Sequence, residues 1–243
     1  MVPSKCEIRI KIQRNDPSFC LISHVDTHPY TIHLDEAFLL VKRHKIANSL
    51  KVAHELELQK EAMKFAVRRA EMKYYSKAAG HSDMTIQNLT TGRIPRRIIF
   101  GIVTSSSFHG NIKTTPFNFI HCNITSIVLR KDSNTVPFET IEMNPAKNLY
   151  GQGYIALHQG SGHLLQDSDC AITPEMFSKG YCIIPLDISC GMSDLGEIDQ
   201  VRHGTITLQI KLSTALTVPV TLITYCDYDE VIQMDKDRQV TYR

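Results

Sequence analysis

The chain has 243 residues, 42% of them hydrophobic, and its 27 Lys and Arg against 25 Asp and Glu leave a formal charge of +2. That near-balance excludes a nucleic-acid binder working through bulk charge, and the length allows one sizeable core with a smaller appendage. The seven cysteines, an odd number with no CxxC pair, argue against a disulfide framework or a zinc ribbon and for reduced thiols.

The opening residues MVPSKCEIRIKIQ set charges between apolar side chains where a secretory leader needs an unbroken apolar run, and no later window approaches a membrane span. The expectation is synthesis in the cytoplasm or nucleus without a signal peptide. The glycosylation-type sequons at Asn88 and Asn123 then carry no meaning. Cys6, Ile8, Ile10 and Ile12 alternate with Glu7, Arg9 and Lys11, the period-two pattern of a strand with one wet face. A short apolar run from Phe19 to Ile22, a polar stretch from Ser23 to Pro29 and an extended segment from Tyr30 to about Val41 follow. Residues 1–48 are too few for a sandwich of their own. Ser49 is a candidate helix cap, and Val52, Ala53, Leu56, Lys60 and Met63 recur at three- and four-residue spacing. This predicts one helix from about Leu50 to Lys64 inside a linker at 49–67.

From 68 to 243 the texture is of short strands between turn residues, which predicts an all-β sandwich. The strands expected are Arg69 to Tyr75, Met84 to Leu89, Arg97 to Val103, His121 to Arg130, Phe138 to Met143, Tyr181 to Ile188, Thr205 to Ser213, Val218 to Tyr228 and Val231 to Met234. The unalternating run Ile98 to Val103 should be interior, whereas Ile206, Leu208, Ile210 and Leu212 alternate with polar residues and should have one exposed face. Helical insertions are expected at about Leu149 to Leu157 and at Thr173 to Lys179, the second with Thr173 as cap, Pro174 in the first turn and Gly180 at its end. The core expected for this sandwich contains Phe117, Phe119, Ile99, Phe100, Ile183, Leu208 and Ile210.

Chemistry is sparse. His24, Asp26 and His28 would project to one side of an extended chain, but the following Pro29 and the lack of a nearby cysteine favour a solvated loop over three metal ligands. Gly160-Ser161-Gly162-His163 with Asp167 or Asp169 offers a nucleophile, a base and an acid. The glycines flank Ser161 directly instead of two residues away, so a nucleophile elbow is not formed and a Gly-rich loop is the better reading. Arg93, Arg96 and Arg97 make one basic cluster, and Lys42, Arg43, His44 and Lys45 make another. Neither is interleaved with aromatics, so solvated charge beside buried strands is preferred, with weak genome contact as the functional alternative. No P-loop, GxGxxG or HExxH is present, and no cofactor or small-molecule substrate is expected.

Several motifs, in shared order and spacing, resemble the double jelly-roll major capsid proteins of the Polinton/Maverick and adintovirus type, including copies integrated in animal genomes. Gly92-Arg93-Ile94-Pro95-Arg96-Arg97 leads into the apolar strand Ile98-Ile99-Phe100-Gly101, and Pro116-Phe117-Asn118-Phe119 with His121 resembles the family's loop between two strands. Gly180-Tyr181-Cys182 with Pro185-Leu186-Asp187-Ile188 resembles a strand entered through Gly-Tyr and closed by an aspartate. Arg202-His203-Gly204 and the ending Asp235 to Val240 resemble its last hairpin and C-terminus. The match covers about Arg69 to Val240, and Lys5 to Lys64 more weakly.

The resemblance implies a mainly β fold: an antiparallel jelly-roll sandwich over 68–243, a linker helix, and terminal strands of an incomplete first jelly roll over 1–48. It further implies a structural virion protein rather than an enzyme, self-associating as pseudo-hexameric homotrimers with other capsid proteins and without a membrane. The strands near Cys6 and Tyr30 would then lack sheet partners. The long insertion between Met143 and Gly180 is the expected intersubunit contact. A carbohydrate- or receptor-binding sandwich and a metal-dependent enzyme stay open as alternatives.

Overall fold

The computed structural model describes residues 9–25, 30–132, 134–135, 140–164, 166–188 and 202–242. The first expected strands are not found among them. Residues 9–16 are coil that joins no sheet among the described residues, and the rest of that segment, from Cys6 to Ile8, lies outside the described residues. Pro17–Cys20 is a single helical turn, α1, because Asp16 Oδ1 accepts from the Ser18 amide at 3.0 Å and Pro17 occupies the first helical position. Tyr30 to Val41 joins no strand among the described residues, although Arg14 donates to the Ile32 carbonyl at 2.6 Å, and Leu34, Phe38, Leu39, Leu40 and Val41 are all exposed. A lone strand leaves its N–H and C=O groups to water and gains no cross-strand contacts, so apolar alternation alone does not make it part of a sheet.

The linker helix, α2, spans Asn48–Lys60. It starts after Ala47 with no side-chain cap, so Ser49 does not fill the expected role. It stops short of Lys64 because Met63 already pairs with Met234 and opens the first strand. Leu58 is its one buried residue, while Leu50, Val52 and Leu56 remain exposed. An ion pair between Glu55 and Arg238 ties the helix to the C-terminal turn.

Ten strands follow among the described residues: β1 (Met63–Lys77), β2 (Asp83–Arg93), β3 (Arg97–Thr104), β4 (Ile124–Lys131), β5 (Asn134–Thr135), β6 (Ile141–Glu142), β7 (Ile183–Asp187), β8 (His203–Leu212), β9 (Val220–Met234) and β10 (Val240–Tyr242). One antiparallel sheet runs β1-β9-β3-β7 with β10 also on β9, and the other runs β2-β8-β4-β5 with β6 also on β4. Successive strands therefore cross from sheet to sheet, except that β5 and β6 stay beside β4 and β10 beside β9. With β5 and β6 sharing the place beside β4, the positions read first-eighth-third-sixth in one sheet and second-seventh-fourth-fifth in the other, which is the connectivity of a jelly roll.

The two expected strands at Val218 to Tyr228 and Val231 to Met234 are one 15-residue strand, β9, paired along its whole length with β1 from Met63↔Met234 to Lys77↔Val220. Its inner face alternates through Leu222, Thr224, Cys226 and Tyr228. β8 shows the one-sided burial expected of it, with Ile206, Leu208 and Ile210 inside. β3 lies between β9 and β7 and is buried nearly throughout. Ile98, Phe100 and Ile102 meet Ile127 and Leu129 of β4 and Ile184 of β7 in the core. Ile99 and Ile183 of the expected core are only half-buried on the opposite face, and Phe117 is 67% exposed.

In β2 the pairing slips between Ile86 and Thr90, where Asn88 takes a positive φ of 55°. The carbonyl of Leu89 in this bulge accepts from Lys73 Nζ at 3.0 Å. The insertion between β6 and β7 carries a 3-10 turn, Pro145–Lys147, and two further helices. One short helix, α3 (Ser105–His109), was not expected, because its Ser-Ser-Ser sequence reads as loop; Thr104 Oγ1 caps it by accepting from the Ser107 amide at 3.4 Å. The insertion helices are α4 (Gly151–Gly160) and α5 (Pro174–Ser178), the latter capped by Thr173 as expected. Phe177 of α5 is fully buried, and α4 lies against β7 so closely that a Cβ on Gly160 would stand 2.6 Å from the Pro185 carbonyl oxygen.

Candidate functional site

The motif residues gather at two joints of the sandwich. At the first, the segment through Phe119 and Ile120 runs alongside the ends of β3 and β7: Ile120 N–H donates to Ile102 O at 2.8 Å, Phe119 N–H to Gly180 O at 2.8 Å and Cys182 N–H to Phe119 O at 3.0 Å. Phe119 lays its ring over Gly101, where a Cβ would stand 2.5 Å from Phe119 Cδ1. Asn118 Oδ1 occupies the space a Cβ on Gly180 would need, and Gly180 has φ +112°, so both reasons for glycine apply there. Pro116 is buried beneath this turn. Phe117 and Tyr181 instead face outward, Phe117 edge-on to Phe19 with ring centroids 6.2 Å apart. His121 is half-buried next to Tyr150, and its Nδ1 accepts from the Asn123 amide at 2.9 Å; burial holds its pKa below the usual histidine value.

The second joint fixes the start of β3. Pro95 is buried. The backbone of Arg96 donates to Asp227 O and accepts from Ile188 N–H, each at 2.7 Å. Arg97 bonds the Asp227 carboxylate at 2.8 Å and the Gly160 carbonyl at 3.0 Å, so one guanidinium joins β3, β9 and α4; Asp187 stands opposite Arg97 in the ladder. Arg93 sits 3.6 Å from Glu230, which also holds Arg69 at 2.9 Å, and Arg69 stacks on Tyr228 at 4.7 Å. The expected basic cluster is thus largely engaged with the chain's own carboxylates. Next to it His203 is exposed at the head of β8, and Gly204 lets Asp132 approach to within 3.0 Å of a would-be Cβ, so that Asp132 Oδ1 can accept from the Thr205 amide at 2.9 Å.

Ser161, His163 and the aspartates downstream, already disfavoured by their spacing, do not assemble into a catalytic set among the described residues. Ser161 Oγ donates to the Leu157 carbonyl at 2.6 Å, and His163 Nδ1 pairs with Ser168 Oγ at 2.9 Å, so serine and histidine are committed elsewhere. His24 is exposed; Asp26 and His28 lie outside the described residues. Lys42, Arg43, His44 and Lys45 are exposed in the coil before α2. An open groove of about 610 Å³, lined by Pro17, Ser18, Tyr30, His109 and Asn111, has His109 as its one imidazole, already bonded to Ser105 O at 2.7 Å. Glu230 was missed by sequence reasoning, since a glutamate in a strand gives no sign of its burial. Gly101 did give one: a glycine inside an apolar strand marks close approach of another chain segment.

No family model matches the chain. Over 240 residues it is 22% identical to the uncharacterized protein F54H12.2 of Caenorhabditis elegans, covering 96% of this chain and 57% of that protein. The chain therefore spans little more than half the length of the curated relative it matches. Similar solved structures include the Sputnik virophage (TM-score 0.45, 12% identity, 74% of this chain and 39% of that one) and the capsid of the virus PBCV-1 (0.43, 8%, 74% and 51%). The major capsid protein of mavirus is another (0.36, 10%, 75% and 41%).

Proposed function

We propose that this chain is a shell-building part of a viral major capsid protein, of the Polinton/Maverick and adintovirus type, whose work is self-association rather than turnover. The observation that carries the reading is the coincidence of sequence and structure at the two joints: the motifs that resemble the capsid family are the residues that fix β3, β7 and β9 to one another. A jelly roll held this way is a rigid wedge whose loops can vary without disturbing the core. The insertion between β6 and β7, anchored by Phe177 and by α4 against β7, offers a stiff outer surface for a neighbouring copy.

In this reading the second jelly roll runs from β1 at Met63 to 243, the linker expected at 49–67 narrows to α2 and the residues up to 62, and the chain before α2 belongs to the closing part of a first roll. The exposed Leu34, Phe38, Leu39, Leu40 and Val41 support that assignment, since such a run is stable in water only when another sheet covers it. The assembly is a pseudo-hexameric homotrimer within a virion, with other capsid proteins as partners. Among the described residues no helix is long and apolar enough to cross a membrane. Sedimentation velocity on this chain, and on a version carrying a complete first roll, tests the proposal. Trimers in the completed version support it. A monomer at every concentration, or saturable binding on a glycan array instead, counts for a binding module and against a shell protein.

A further inference from the structure

We propose that His158, Asp169 and Cys170 form a binding site for a single divalent cation of the zinc class, closing the loop of the β6–β7 insertion onto α4. His158 projects from the last turn of α4. The chain leaves that helix through Gly162, with φ +81°, and returns past Ala171, also at positive φ, where Tyr154 Oη donates to the Ile172 carbonyl at 2.9 Å and fixes the returning strand beside the helix. This brings one donor atom from each of the three residues within 4.8 Å of the others.

The geometry suits an ion better than it suits hydrogen bonding. His158 Nδ1 and Asp169 Oδ1 are 3.8 Å apart, too far for a hydrogen bond. With metal–ligand lengths of about 2.0–2.3 Å, ligands around a tetrahedral ion stand roughly 3.3–3.8 Å apart, so a small inward movement completes the shell. His158 is only 16% exposed, and its Nε2 is buried with no hydrogen-bond partner. Among the described residues Nδ1, the nitrogen that faces Asp169, carries no hydrogen bond, so with the proton on Nε2 its lone pair is open to an ion.

The donor set of one imidazole nitrogen, one carboxylate oxygen and one sulfur selects a borderline-soft ion over calcium or magnesium, which favour all-oxygen shells. Asp169 is 66% exposed, so water can supply the fourth ligand. Binding would take Cys170 as the thiolate and release its proton to solvent. The site does not depend on the capsid reading: it follows from the loop's own geometry, and its test is independent of assembly.

The test uses the full chain, freed of any histidine tag and stripped of metal, titrated with Co²⁺ as the spectroscopic probe and then with Zn²⁺. The expected result is saturation at one equivalent, with a thiolate-to-cobalt charge-transfer band and the intense visible bands of four-coordination, both bleached by Zn²⁺. Cys170→Ser should lose the charge-transfer band, and His158→Ala should weaken binding by about 100-fold or more, because first ligands matter at least as much as the groups behind them. Cys20→Ser, which alters an exposed thiol far from the site, should change nothing. In the unmodified chain Zn²⁺ should slow alkylation of Cys170 as mapped by mass spectrometry, a readout that needs no variant to fold. Absence of the band in the parent chain, its survival in Cys170→Ser, or equal alkylation rates with and without Zn²⁺ overturns the proposal.

Discussion

Replacing Gly101 by alanine tests the contact on which the first joint rests. The new methyl would sit 2.5 Å from Cδ1 and 3.0 Å from Cε1 of Phe119, well inside van der Waals contact, so the ring must tilt or the Phe119–Ile120 segment must lift. Lifting would strain three backbone hydrogen bonds of 2.8, 3.0 and 2.8 Å. Overpacking of this kind costs about 1–3 kcal/mol, and because Phe119 is only half-buried its ring can yield somewhat, placing the expectation near 2 kcal/mol. In a chain of this size that lowers Tm by about 4–8 °C. The assay is a double-mutant cycle by thermal and urea unfolding. Phe119→Ala loses apolar contact on its own, but in that background Gly101→Ala should be neutral or slightly stabilising, since alanine is less costly than glycine in a strand. An unchanged Tm in the single variant, or the same loss in both backgrounds, would refute the close-approach account.

Leu208→Asp puts an unpaired charge where no surface is exposed and should abolish soluble folding, because several kcal/mol are lost from a total of about 5–15; soluble protein with the parent's melting curve would contradict the core assignment. Glu230→Gln removes the carboxylate shared by Arg69 and Arg93. Arg69 is 44% exposed and solvent screens it, so the loss should be about 1–3 kcal/mol in urea unfolding, and no loss would mean that the network is idle. His121 titrates lower folded than unfolded because of burial, so below the unfolded value of about 6.5 the unfolded state binds the proton first. Its contribution is therefore full above that pH and lost as pH falls from there toward the folded pKa. His121→Asn should flatten that part of the stability profile, and an identical profile in both proteins would disprove the assignment.

The sandwich was legible where periodicity and burial coincide: β8 alternates in sequence and in the fold, and β3 lacks alternation because strands flank it on both edges while Phe119 covers its outer face. Thr173 and Pro174 announced α5 through local chemistry alone. Legibility failed where the decisive partner is remote. The first turns of β1 read as helix because Lys60 and Met63 continue a helical spacing, whereas Met63 is claimed by Met234, far along the chain. Tyr30 to Val41 read as strand from its residues, yet pairing depends on an edge that nothing described provides. Of the candidate site, Gly101, Gly180 and Phe119 could be singled out as motifs, but the clearance between them could not. Phe117 was misplaced because an aromatic next to a buried proline gives no sign of the side to which its turn directs it. His158 and Cys170 escaped attention, and Asp169 was weighed only beside Ser161, because the proximity of the three is made by the return of a loop, not by spacing.

β9 leaves the ribosome after β1, β3 and β7, yet it occupies the middle of their sheet, between β1 and β3. Until it is synthesised, the strands on either side have no common template, and the wedge cannot close cotranslationally from its N-terminal side. Large sequence separation between pairing strands slows folding and prolongs exposure of apolar edges. Production of this chain should accordingly depend on chaperone capacity, and a stop codon ahead of Val220 would leave β1 without its neighbour and β3 paired only with β7, prone to aggregation rather than a smaller version of the same fold.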